Sequence, residues 1–266
     1  MKKYTILLFF FALTSSIYSE QLSFSDSTEY SLLTCSPGKE LYAKFGHTGI
    51  RIKDAVNKID VIFNWGIFSF NTDNFYLKFI KGETDYQLGV MNTEMFLTEY
   101  RERNSFVWEQ KLNLTNKEKK RFASILIENY KPENRVYRYN FIYDNCATRP
   151  RDRILQSCDG VVKLINPVEE RTFRNWVSIY TGADSWEQFG IDLVFGKPAD
   201  KNATHSESMF LPEVLMSQLQ NVVIIRKDSS IYEQNLTAEP VELVEGKYID
   251  NEINELIKPI YILSLL

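Results

Sequence analysis

Two histidines and three cysteines are all that this 266-residue sequence holds of the usual metal and redox side chains. No His-x-x-x-His or Cys-x-x-Cys spacing occurs, so the common zinc frameworks are excluded and no metal or cofactor is expected. Charge is almost balanced, at −4, with no basic stripe. Nucleic-acid binding needs clustered Lys and Arg, so nucleic acid is not an expected partner. Internal repeats and low-complexity tracts are absent. What remains is 44% hydrophobic and 14% aromatic. That composition describes a globular chain with a sizeable core, in one large domain or a domain with a small appendage.

The N-terminus reads as a secretory signal peptide. Lys2 and Lys3 precede an apolar run at residues 6–13, and Ser15, Ser16 and Ser19 are small residues at cleavage-like positions. Cleavage after Ser19 is the first choice and after Ser16 the second, which leaves residues 20–250 as the exported domain. No Cys follows the apolar run closely, so lipidation there is not expected. Export makes disulfides admissible, and an odd number of cysteines leaves at least one thiol free or paired between chains. The simplest arrangement joins Cys35 to Cys158 and leaves Cys146. At the other end, residues 251–266 grow steadily more apolar. The last eight or so are too few to span a bilayer; they read as the start of a membrane helix or as a final strand.

Along the chain, strands are expected at residues 29–34, 47–53, 59–65, 84–90, 105–112, 137–143 and 221–226, with two more short ones after that. Residues 47–53 and 59–65 read as an antiparallel hairpin, which sets His47 beside Asn64. Helices are expected at 73–81, 93–103, 169–181, 184–195 (capped by Asp184) and 206–220. Thr115-Asn116-Lys117-Glu118 is a capping box that opens a further helix to about Tyr130.

The most informative stretch is residues 139–153, Tyr-Asn-Phe-Ile-Tyr-Asp-Asn-Cys-Ala-Thr-Arg-Pro-Arg-Asp-Arg. A strand breaks at Asp144-Asn145, and Cys146 stands where a helix begins. A thiol at a helix N-terminus, with Arg149, Arg151 and Arg153 nearby, is expected to have a lowered pKa and to react as thiolate. A buried structural Cys is the alternative. A nucleophilic Cys also needs a base and a group that orients it. His205 lies in a polar stretch and reads as an exposed loop residue, so His47 is the candidate base. Asn64 is the candidate orienting group and Asn145 its alternative.

His on a strand, followed by Cys at a helix start after Asp-Asn, resembles the circularly permuted papain-like (NlpC-like) fold, in which the lecithin:retinol acyltransferase relatives carry a similar His and Asn-Cys element. Four stretches resemble more closely the N-terminal periplasmic domain of the Lnb-type lipoprotein N-acyltransferases. They are residues 31–49 (SLLTCSPGKELYAKFGHTG), 63–88 (FNWGIFSFNTDNFYLKFIKGETDYQL), 132–152 (PENRVYRYNFIYDNCATRPRD) and 209–215 (MFLPEVL). The resemblance runs from about Tyr30 to Leu219, and Phe45-Gly46-His47 and Asp144-Asn145-Cys146 are its most specific parts. Pro150 departs from it, where the pattern has an aliphatic residue before Arg151. Those enzymes also continue into several membrane helices, so the resemblance speaks for the soluble domain.

The fold so implied is α+β, a permuted papain-like domain with an antiparallel sheet and additional C-terminal helices. The implied activity is transfer of a phospholipid acyl chain through a Cys146 thioester, with His47 as base, to the N-terminal amine of a diacylated lipoprotein. The expected oxyanion donors are backbone N–H groups at the start of the Cys146 helix. Tyr42, Phe68, Phe70, Phe75 and Tyr76 are candidates for an acyl groove or for contact with the membrane surface, and core packing is the alternative for most of them. The implied location is periplasmic, facing or tethered to the inner membrane. Two other classes stay open: a Cys amidase or peptidase acting on cell-wall peptide, and a non-catalytic periplasmic binding module.

Overall fold

The computed structural model describes residues 24–68, 78, 83–166, 169–182, 184–227, 231–248 and 258–259. The expected signal peptide lies outside them, as do all but residue 78 of the expected helix at 73–81 and nearly all of the 251–266 tail.

The fold is α+β with antiparallel sheets. Strands β1 (Glu29–Cys35), β2 (His47–Asp54) and β3 (Ile59–Ile67) form its centre. The β2–β3 turn is set by Asp54, whose Oδ1 accepts the Val56 and Asn57 N–H groups at 3.0 and 3.2 Å. That local bond fixes the register, with Ile50 opposite Phe63 and Asp54 opposite Ile59. Then follow β4 (Asp85–Asn92), α1 (Thr93–Glu102, capped by Asn92), β5 (Val107–Lys111) and α2 (Asn116–Tyr130). The capping box forms as expected, Thr115 and Glu118 each satisfying the other's backbone N–H.

The second half holds β6 (Val136–Arg138), α3 (Thr148–Ser157), β7 (Val161–Leu164), α4 (Phe173–Thr181) and α5 (Trp186–Phe195). It closes with α6 (His205–Ser208), α7 (Pro212–Gln220), β8 (Val222–Lys227), β9 (Ile231–Asn235) and β10 (Val241–Val244). Seven strands make one sheet in the order β10-β5-β1-β2-β3-β4-β6, and β7-β8-β9 make a second.

Several expected elements need correction. The strand expected at 137–143 ends at Arg138, because the Asn140 side chain turns the chain by accepting the Ile142 and Tyr143 N–H groups at 3.1 and 2.9 Å. The 206–220 helix is two, since Pro212, lacking an N–H, starts α7 rather than continuing α6. Helix α4 begins late, at its Thr172 cap, and α5 is capped by Ser185 rather than Asp184. Pro150 is accommodated because it falls in the first turn of α3, where an N–H would have no intrahelical acceptor.

Alternation along the central strands divides the core. Tyr30, Leu32, Ile50, Phe63 and Trp65 face one large cluster with Phe122 of α2, Ile154 of α3 and Leu215 of α7. Leu33, Cys35 and Ile62 face the other way, against Phe96 and Tyr100 of α1. Cys158 packs on the first cluster and Cys35 sits within the second, and all three cysteines are free thiols. The expected Cys35–Cys158 bridge is therefore overturned by the strand's own alternation, which points Cys35 away from Cys158. A third cluster gathers Phe173, Val177 and Tyr180 of α4 with Phe210 and Leu211.

One buried ion pair ties the layers together. Arg226 of β8 donates to Glu118 at 2.6 Å, and the other Glu118 oxygen accepts the Asp159 N–H at 2.7 Å.

Candidate active site

His47 enters its strand through a backbone turn that only glycine fits well. Gly46 has φ +77°, and a Cβ there would lie 2.5 Å from the Cys35 carbonyl oxygen. The His47 Nε2 then lies 2.8 Å from Asn64 Oδ1. The same oxygen accepts the Gly66 N–H at 2.7 Å. A backbone donor fixes that Asn64 atom as the acceptor, so Nε2 carries the imidazole proton and Nδ1 is the nitrogen left to accept one. The hairpin thus places Asn64 where the sequence suggests, beside His47.

Cys146 comes to the same place from the other half of the chain. The Thr48 hydroxyl, next along β2, donates to the Cys146 carbonyl oxygen. Cys146, His47, Asn64 and Asn145 all line one cavity of about 720 Å³.

Asn145 is spent elsewhere. Its Oδ1 accepts the Ala147 and Thr148 N–H groups at 2.8 and 2.9 Å, and its Nδ2 donates to the carbonyls of Phe141 and Phe210 at 2.6 and 2.9 Å. It builds the corner that presents Cys146 and has no capacity left for His47.

That corner also corrects two expectations. Helix α3 starts at Thr148, two residues beyond Cys146, and its first N–H groups are capped by Asn145. They are available neither to a thiolate nor to an oxyanion. Burial pushes the Cys146 pKa up to about 11, although the Thr48 and Cys146 N–H groups work against it. The thiol is neutral at rest rather than a thiolate. Arg149 adds no uncompensated charge: it pairs with Asp144 in a two-point bridge and lies 3.6 Å from the Tyr137 ring centroid. Arg151 is held by Asp152 and the Ser206 carbonyl. His47 is also neutral, because burial lowers its pKa to about 4 against the raising effect of the Asn64 bond, with Arg103 lowering it further.

The cavity wall is mostly apolar. Phe45, Phe141, Ile142, Ile191, Val194 and Phe195 line it, and Glu99, Arg103 and Ser105 supply a polar part. Tyr42 and Phe68 both line it, Tyr42 exposed and Phe68 partly buried and stacked 4.8 Å from Tyr86. Phe70, Phe75 and Tyr76 lie outside the described residues. His205 opens α6, partly buried, and does not line the cavity. Among the described residues, no three His, Cys, Asp or Glu side chains gather closely enough to hold a metal ion.

Two contributors escape the sequence reading. A Cβ on Gly66 would stand 2.4 Å from the His47 Cε1, so the bare glycine makes room for the ring. A glycine inside a strand is a recognised mark of close approach, and that signal was present. Thr48 carries no comparable signal.

Residues 17–177, more than half of the chain, match the family described as the Lnb N-terminal periplasmic domain, and the chain belongs to that family. Membership places it among periplasmic domains of a lipoprotein-modifying type of enzyme. Searches of curated proteins and of solved structures give no significant match. Among the described residues no helix is long and apolar enough to cross a membrane.

Proposed function

We propose that the chain is a thiol-dependent N-acyltransferase on a permuted papain-like scaffold. It takes an acyl chain from a phospholipid and passes it to the N-terminal amine of a diacylated lipoprotein. The observation that carries this reading is the fixed tautomer of His47, with Nδ1 left basic in an apolar cavity shared with Cys146.

Both groups are neutral at rest, so the proton moves as the bond forms. His47 Nδ1 takes the thiol proton while the sulfur attacks the ester carbonyl. Asn64 holds the imidazolium in place. The N–H groups of Cys146 and Thr48 are the donors that can meet the oxyanion, since those of Ala147 and Thr148 are occupied. Collapse of the tetrahedral intermediate expels the glycerol oxygen, which takes the proton from His47, leaving a lysophospholipid and a thioester. The lipoprotein amine then attacks the thioester carbonyl and gives up its proton, and the sulfur leaves as the thiol. An apolar wall suits a thioester that must outlast water and discharge to an amine.

The transfer step is tested with phospholipid and a diacylated lipopeptide bearing a free α-amine. The expected product gains one fatty-acyl group in an amide that hydroxylamine does not cleave. Cleavage of cell-wall peptide that depends on Cys146, with no lipopeptide acylation, would instead make the protein a Cys hydrolase.

A further inference from the structure

Helix α5 sends apolar side chains both to the core and to the outside. A surface helix ordinarily turns its apolar stripe to the core and its polar side chains to water. Here Gln188 is the buried side chain, accepting the Thr181 hydroxyl and donating to Asp192 at 2.6 Å. Asp192 in turn meets Arg174 at 2.6 Å. Ile191 and Phe195 pack against the third cluster, but three other apolar residues face outward: Leu193 is 68% exposed, Val194 49% and Trp186 40%. Both carboxylates of the helix are matched, Asp192 by Arg174 and Glu187 by Lys44 at 3.0 Å. The outward face therefore carries no uncompensated charge to desolvate.

Position makes this face more than an exposed patch. Trp186 and Val194 also line the cavity that holds Cys146, as do Tyr42 and Tyr143, which are exposed in their turn. Trp186 and Val194 thus belong both to the exposed face of α5 and to the cavity lining. The helix lies beyond residue 177, outside the stretch that matches the family.

We propose that the outer face of α5 docks on a phospholipid bilayer, with Leu193 and Val194 entering the acyl boundary and Trp186 and Tyr143 at headgroup level. The proposal rests on the lipid-donor reading and gives it an entry route. An acyl chain moving from the bilayer into the cavity passes Val194 and Trp186, which belong to both the outer face and the cavity lining. The contact is apolar rather than coulombic, so it persists in high salt.

The test uses the native chain, vesicles of phosphatidylcholine and the same vesicles with bromine-labelled acyl chains. Bromine in the acyl region is expected to quench part of the tryptophan emission, and Trp186→Phe to abolish that part. A Leu193→Glu/Val194→Glu chain, checked as folded by circular dichroism, should need roughly tenfold more lipid for the same quenching. Ile231→Glu, at a 70% exposed site on β9, should behave as the parent, and so should Cys146→Ser. Quenching that is absent, that survives Trp186→Phe, or that is unchanged by the double substitution overturns the proposal. If Trp186 is quenched while Cys146 is never acylated, the docking face stands and the acyltransferase reading falls.

Discussion

Asn64 Oδ1 receives two donors at once, the His47 imidazole at 2.8 Å and the Gly66 N–H at 2.7 Å. A side-chain amide free to turn could face His47 with either its oxygen or its nitrogen. Here the backbone decides, and with it the tautomer.

Asn64→Ala is expected to lower turnover by about one to two orders of magnitude while leaving the fold intact, because the ring loses its tautomeric lock. Asn64→Asp keeps an acceptor and adds a negative charge, which favours the imidazolium. It should retain more activity than the alanine variant and move the acid limb of the pH profile upward from about 4. An acid limb identical in parent and Asn64→Asp would remove Asn64 from this role.

Gly66→Ala puts a methyl where the His47 ring lies, within 2.4 Å of Cε1. The ring must move, and a displacement of about an ångström can cost roughly a hundredfold in rate. The thermal midpoint should fall far less than the activity. Equal activity in parent and variant would mean that the ring position is not critical.

The pH dependence follows from two neutral groups. His47 is depressed to about 4, so activity is lost as pH falls through that value and Nδ1 becomes protonated. Burial raises Cys146 to about 11, so its alkylation by iodoacetamide should climb through pH 7–10 without a plateau. A plateau below pH 7 would signal a resting thiolate–imidazolium pair and contradict the neutral thiol.

Glu118 and Arg226 test the packing. Burial raises the Glu118 pKa, but the hydrogen bonds from Arg226, Asp159 and Thr115 outweigh it and leave the group below the ordinary carboxylate range. Removing one partner strands the other charge, so Arg226→Met should cost about 3–5 kcal/mol in denaturant unfolding. The depressed pKa stabilises the fold above the unfolded carboxylate's range. That contribution disappears as pH falls through the folded value, and the variant's deficit should shrink on acidification. A deficit that grows would reverse the sign of this account.

Much of the site was legible because its signals are local. The turn at Asp54 sets the β2–β3 register, which makes Asn64 a diagonal neighbour of His47, and the bare Gly66 leaves room for the ring to meet it. Asp-Asn-Cys marks the corner that carries Cys146. What the corner does to the thiol was not legible. That depends on Asn145 capping Ala147 and Thr148 and on burial, which no spacing reveals. The aromatic run at 137–143 has strand propensity, but a single Asn140 turn overrides it. Cys35 and Cys158 looked pairable only until the alternation of β1 was followed to its last residue. The outward apolar face of α5 was not legible, since Gln188 is held by Thr181 and Asp192 by Arg174, partners that no helical spacing reveals.

The central claim is that Cys146 takes an acyl chain from lipid, and mass spectrometry of the chain after incubation with phospholipid vesicles tests it most directly. The expected result is a mass gain of one fatty-acyl group on the peptide containing Cys146, removed by hydroxylamine and absent in Cys146→Ser and His47→Ala. A Cys146 that stays unmodified by lipid while the parent cuts cell-wall peptide would contradict it.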